Sequence, residues 1–148
     1  MASFFRFLSQ NLVRKGSRMT RRQIREQIFQ ILFRVEFHQK EAFEEQMGLA
    51  IEEEKTSESD ILYIRKKSED ITERLEQIDQ MINEKAKGWK TSRMGKVDLA
   101  LLRLAVYEIQ FEEDIPLGVA INEAVELAKK YGTDDSPAFI NGVLSKFA

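Results

Sequence analysis

Residues 96–111 read KVDLALLRLAVYEIQF. Val97, Leu99, Ala100, Leu101, Leu102, Leu104, Ala105, Val106, Tyr107 and Ile109 are apolar or aromatic. At about 100° per residue they cover the whole circumference of a helix, and a helix that is apolar all round belongs inside a core. The stretch is too short to span a bilayer, which takes about 20 residues, so it reads as the central helix of a helical bundle. Asp98, Arg103 and Glu108 interrupt it. Successive charges stand five residues apart, about 140° round the helix, and do not share one pairing face. Each is expected to leave the core in its own direction, and those exits are the first places to look for function.

Downstream, Glu112-Glu113-Asp114-Ile115-Pro116 reads as a turn, with Pro116 suited to a first helical turn. Ala120, Ala124, Leu127, Ala128 and Tyr131 then form a narrow face of mostly small residues, against which another helix can approach closely. Gly132 is expected to end that helix in a left-handed turn. Ser136 as N-cap and Pro137 at the first position open a last helix through Phe147. Upstream, residues 59–87 carry a helical pattern of Ile61, Leu62, Ile64, Ile71, Leu75, Ile78, Met81 and Ile82, with a break whose position the pattern does not give. Arg65-Lys66-Lys67 and Glu69-Asp70 read as a solvated face. Gly88-Trp89 closes the segment, with Trp89 read as a packing anchor.

A first helix starts behind Thr20 as N-cap and runs to about Lys40. Ile24, Ile28, Ile31 and Val35 line one face, and Phe29, Phe33 and Phe37 the opposite one. Arg18, Arg22 and Arg25 flank those aromatics, giving either a basic, aromatic surface on which bases could stack or a twice-packed helix whose arginines face water. His38 reads as structural. Gly48 ends a short helical continuation, and Glu52 to Asp60 is a charged connector. Residues 1–19 stand apart as an N-terminal extension, with Met19 expected as the real start. Residues 20–148 read as one domain. Arg6 interrupts the apolar run of the extension, so no secretory signal is expected.

The 148 residues carry a net charge of −2 that hides an asymmetry. Seven basic residues precede Glu26, the first acidic one, and the remainder holds 16 basic against 25 acidic residues. A basic arm on an acidic body is either a footprint for a polyanion or a solvated tail. Cysteine is absent and His38 is the one histidine, which excludes disulfides, thiolate metal sites and two-histidine hydrolases and fits a reducing, cytoplasmic setting. There is no GxxxxGK[ST], no GxGxxG after a strand, no HExxH and no nucleophile elbow. No period-two strand pattern appears either. The residues describe an all-α binding protein, with no enzyme chemistry, cofactor or metal expected.

Three stretches together resemble the NusB transcription antitermination family: TRRQIREQIFQILF at 20–33, WKTSRMGKVDLALLRLAVYEI at 89–109, and VAINEAVELAKKYGTDDSPAFINGVL at 119–144. The last is the most specific. The resemblance implies an all-α fold of two small helical bundles packed across each other, about seven helices in all. It also implies binding of boxA-type single-stranded RNA in ribosomal RNA leader transcripts. The implied partners are NusE, a small-subunit ribosomal protein, and the RNA polymerase elongation complex with other Nus factors, with no membrane involved. By position the RNA-facing residues would be Arg21, Arg22, Arg25, Phe33, Arg103, Asp135 and Phe139, and Asp98 would meet the ribosomal protein. Phe33 departs from a tyrosine often found there, which keeps stacking but loses a hydroxyl hydrogen bond. Two alternatives stand beside this reading: a helical protein–protein adaptor, and a stand-alone relative of the RNA-binding domain of ribosomal RNA cytosine methyltransferases.

Overall fold

The structure, a computed structural model, describes residues 18–38 and 57–148. The expectations for residues 1–17, for the Gly48 turn and for the connector up to Thr56 lie outside the described residues, as do the side chains of Phe37 and His38. The described chain is all helical: α1 (Arg21–His38), α2 (Glu58–Glu73), α3 (Leu75–Lys85), a 3₁₀ turn (Thr91–Arg93), α4 (Lys96–Phe111), α5 (Leu117–Tyr131) and α6 (Ser136–Ser145). It divides into two compact units, Met1–Asp70 and Ile71–Ala148, with the boundary near the end of α2.

In the first unit, α1 begins where a reciprocal pair of side chains satisfies two backbone donors. The Gln23 N–H donates to Thr20 Oγ1 at 3.1 Å, and the Thr20 N–H donates to Gln23 Oε1 at 2.8 Å. This is a capping box, with glutamine in the place often taken by glutamate. Ile28, Phe29, Ile31, Leu32 and Val35 are buried and Phe33 is half-buried, so both faces of α1 are covered. Ser57 caps α2 by accepting the Asp60 N–H at 3.3 Å. Asp60 Oδ2 in turn accepts the Met19 N–H at 2.9 Å, which fastens the entry to α1 onto the first turn of α2.

The basic run of α2 differs from the expectation of a solvated face, because Arg65 and Lys67 are buried and only Lys66 is exposed. Long aliphatic stems let such side chains cover apolar surface while their heads stay paired. Arg65 meets Glu69 at 3.0 Å, and the Lys67 ammonium lies 5.7 Å from the Tyr63 ring centroid.

The second unit is built round α4, against which α3, α5 and α6 all pack. Every residue from Leu99 to Glu108 is buried, as the apolar circumference requires. Ile78 and Ile82 of α3, Ala120, Ala124, Leu127 and Ala128 of α5, and Ile140, Val143 and Leu144 of α6 supply the facing side chains. Each fully buried leucine or isoleucine contributes about 1.5–3 kcal/mol relative to exposure. The helix break lies at Arg74 (φ −102°, ψ 10°), whose guanidinium sits 4.4 Å from the Phe111 ring centroid.

Two local expectations change. Gly132 is extended (φ −92°, ψ −169°) rather than left-handed, and what it provides is room. A Cβ there would fall 2.5 Å from Ser136 Cβ and Oγ and 2.9 Å from the Ala128 carbonyl oxygen. The left-handed glycine is Gly88, at φ +87°. Ser136 is the first residue of α6 and not its N-cap, since its hydroxyl turns back to accept the Thr133 N–H at 3.0 Å.

Candidate nucleic-acid interface

The basic entry to α1 is the clearest charged feature of the first unit. Arg18, Arg21 and Arg22 are exposed around the capped N-terminus, and no acidic residue occupies the first turn. Cations at the positive end of a helix dipole are unfavourable by a few tenths of a kcal/mol each. An anion docking there relieves that repulsion and meets both guanidinium and backbone donors. Arg25 departs from the expectation that the arginines face water: it is buried, at 8 % exposure. Its side chain is part of the packing of α1. Phe33, two turns further on, is partly open, and its ring centroid lies 6.2 Å from that of Phe29.

In the second unit the loop 132–135 places two carboxylates, Asp134 and Asp135, in solvent ahead of α6. The Thr133–Ser136 hydrogen bond and the close fit at Gly132 hold that loop. Asp135 precedes α6, and its carbonyl accepts the Phe139 N–H at 3.1 Å, so Asp135 and Phe139 lie one helical turn apart. A carboxylate cannot attract phosphate. It can accept hydrogen bonds from base amino groups or from the ribose 2′-hydroxyl. Phe139 is half-buried and meets Trp89 in an edge-to-face contact, with centroids 5.6 Å apart and planes at 69°.

Trp89 corrects the sequence reading. It is 60 % exposed, so it is not an anchor inside the core. The left-handed Gly88 turns the chain just ahead of it, and the following 3₁₀ turn is pinned by the Thr91 N–H donating to Asn83 Oδ1 at 2.8 Å.

The charges on α4 also differ from expectation. Arg103 and Glu108 are buried rather than expelled. Arg103 is neutralised by a bidentate contact to Asp79 of α3, Nε to Oδ1 at 2.8 Å and Nη2 to Oδ2 at 2.7 Å. Such a fork-to-carboxylate pair is strong and geometrically specific. Asp79 stands with Glu76, Gln80, Asn83 and Glu84 along an open surface recess of 630 Å³, an acidic lining that does not favour phosphate. Asp98, in the first turn of α4, is half-buried, and its Oδ1 is enclosed without a hydrogen-bond partner among the described residues.

Within the first unit the structure gathers Arg21 and Arg22 at one helix end, with Phe33 farther along the same helix. Within the second it places Asp135 and Phe139 on adjoining turns, and it joins Arg103 to Asp79. Sequence reasoning missed Asp79 and undervalued Trp89. No spacing rule links Asp79 to an arginine 24 positions later. Trp89 had a signal in the sequence: the lysines and arginine that surround it.

Comparison with known proteins gives a consistent result. The NusB family pattern matches residues 22–148. The transcription antitermination protein NusB of Agathobacter rectalis is 59% identical over 132 residues, covering 88% of this chain and all of that protein. The protein of the same name from Lachnoclostridium phytofermentans is 47% identical over 129 residues, covering 86% of this chain and 98% of its own. Among solved structures, T. maritima NusB superimposes with a TM-score of 0.82 at 37% identity, covering 89% of this chain and 92% of that one. A chain from a crystal structure of the antitermination factors NusB and NusE in complex with double-stranded RNA gives 0.76 at 28% identity, covering 87% and 97%. With its described residues all helical, a second unit built round a helix buried from Leu99 to Glu108, and a match running from Arg22 to the last residue, the chain belongs to the NusB family of transcription antitermination proteins.

Proposed function

We propose that this chain acts in transcription antitermination by binding boxA-type single-stranded RNA of ribosomal RNA leader transcripts together with NusE. The observation that carries the proposal is the exposed arginine group at the capped start of α1. In this reading Arg21 and Arg22 neutralise phosphate, and Phe33 and Phe139 offer partly open rings to bases. Asp135 accepts from a base edge or a 2′-hydroxyl. Arg25 in the first unit and Arg103 in the second are RNA-facing positions held at buried places, where each supports its own surface more than it attracts phosphate. Asp98 faces the ribosomal protein.

The mechanism is scaffolding, without a chemical step: RNA and NusE each hold part of an assembly that keeps RNA polymerase elongating with other Nus factors in the cytoplasm. The related complex of NusB and NusE contains double-stranded RNA. Half-open aromatic rings favour unpaired bases, because side chains cannot read the deep, narrow groove of an RNA duplex. A filter-binding titration tests the proposal, using a boxA-like single strand, the same sequence as a duplex and a scrambled strand, each with and without NusE. Preference for the boxA-like single strand, tightened by NusE, is expected. Equal, salt-labile binding of all three RNAs would leave only a polyanion-binding adaptor.

A further inference from the structure

A tryptophan that is 60 % exposed is unusual on a folded monomer, because the indole is among the largest apolar groups a chain can withdraw from water. Here the exposure is built in. Gly88, at φ +87°, turns the chain. The Trp89 N–H is fixed by the Ala86 carbonyl at 2.8 Å. The edge-to-face contact with Phe139 then fixes the ring on one side. A held aromatic with an open surface loses little conformational freedom when something flat is laid on it.

The charges around it narrow what that could be. Between Glu84 and Asp98 the chain carries Lys85, Lys87, Lys90, Arg93 and Lys96 and no acidic residue. All five are exposed. A basic run centred on an open indole is complementary to a chain of phosphates bearing planar groups. It is not complementary to an apolar protein face or to another basic surface.

We propose that Trp89, braced by Phe139, is a stacking platform for an unpaired RNA base, and that the basic run from Lys85 to Lys96 holds the phosphates on either side. This rests on the RNA-binding reading of the chain and extends it to a segment that contributes none of the RNA-facing positions the family resemblance implies. Stacking on an aromatic is tolerant of base identity, so the platform adds affinity for single strands over duplexes more than it selects a sequence.

Trp89 is the sole tryptophan, so intrinsic fluorescence reports on it directly. The full chain is titrated with a 5′-labelled, boxA-like single-stranded RNA of about 12 nucleotides. Label anisotropy reports binding, and tryptophan emission reports stacking in the same cuvette. Quenching that saturates together with anisotropy is expected, with none when inorganic polyphosphate replaces RNA. Trp89→Leu, apolar but without a π face, should weaken binding by about 5- to 150-fold, the range for loss of one stacked base. Trp89→Phe should retain most of the affinity. Neither variant should change the thermal midpoint appreciably, since the side chain is mostly in water.

Binding without quenching, with Trp89→Leu equal to the parent, overturns the platform and leaves the RNA-binding reading standing. Equal quenching by polyphosphate means charge, not stacking, and overturns it too. Quenching by NusE but not by RNA makes the face a protein dock and likewise overturns it. No anisotropy rise with any RNA removes the RNA-binding reading itself, and the platform with it.

Discussion

Replacing Arg103 with alanine removes a guanidinium that makes two hydrogen bonds to Asp79 inside the second unit. Breaking a fully buried ion pair from one side costs about 3–5 kcal/mol, because it strands the remaining charge. The Arg103 and Asp79 side chains keep 10% and 22% of their exposure, so water reaches the carboxylate and the expected cost falls to about 2–3 kcal/mol. For a chain of this size each kcal/mol moves the midpoint by roughly 2–4 °C, so Arg103→Ala should melt about 4–12 °C below the parent by far-ultraviolet circular dichroism. Asp79→Asn keeps one acceptor for the guanidinium and should lose about half as much. The double replacement Asp79→Leu with Arg103→Met should recover most of the loss, since no charge is left unpaired. A midpoint for Arg103→Ala within a degree of the parent would refute the structural role of the pair. RNA affinity, measured well below every midpoint, then separates support from contact. If Arg103 touches RNA, Asp79→Asn retains affinity that Arg103→Ala loses. If it only braces α3 against α4, the two variants lose affinity in proportion to their loss of stability.

Replacing Arg21 and Arg22 with alanine should weaken all RNAs alike and make the slope of log affinity against log salt shallower by about 1.4, at roughly 0.7 per phosphate contact on single strands; an unchanged slope takes the start of α1 out of the interface. Arg25→Ala, by contrast, is expected to lower the melting midpoint, because that side chain is buried. Gly132→Ala forces a methyl to within 2.5 Å of Ser136 and should cost about 1–3 kcal/mol as overpacking, read as a lower midpoint in a thermal melt. Asp98→Ala should keep the parent's midpoint, since it removes an enclosed oxygen without a hydrogen-bond partner among the described residues; RNA binding by the chain alone should persist while recruitment of NusE, followed by co-sedimentation, weakens.

What the sequence by itself determined is whatever depends on residues close together along the chain. The apolar circumference of 96–111 dictated a buried central helix, and Leu99 to Glu108 are buried throughout. The small-residue spacing of Ala120, Ala124 and Ala128 gave the packed face of α5. Thr20 as N-cap marked the start of α1, because a cap acts within one turn. The three family stretches gave the affiliation for the same reason, since each is a local pattern. Tertiary structure alone decided where the charges went. Arg103 lies in a helix that looks intolerant of charge, and only the arrival of Asp79 from α3 lets it stay inside. Gly132 looked like a left-handed stop, but it is required by the approach of Ser136 across the loop. Trp89 read as a packing anchor, yet its fate depended on the left-handed turn at Gly88 and on a ring 50 positions away in α6. Burial of a long polar side chain, or exposure of a large apolar one, is settled by which partner comes within reach, and periodicity along one helix carries no record of that partner.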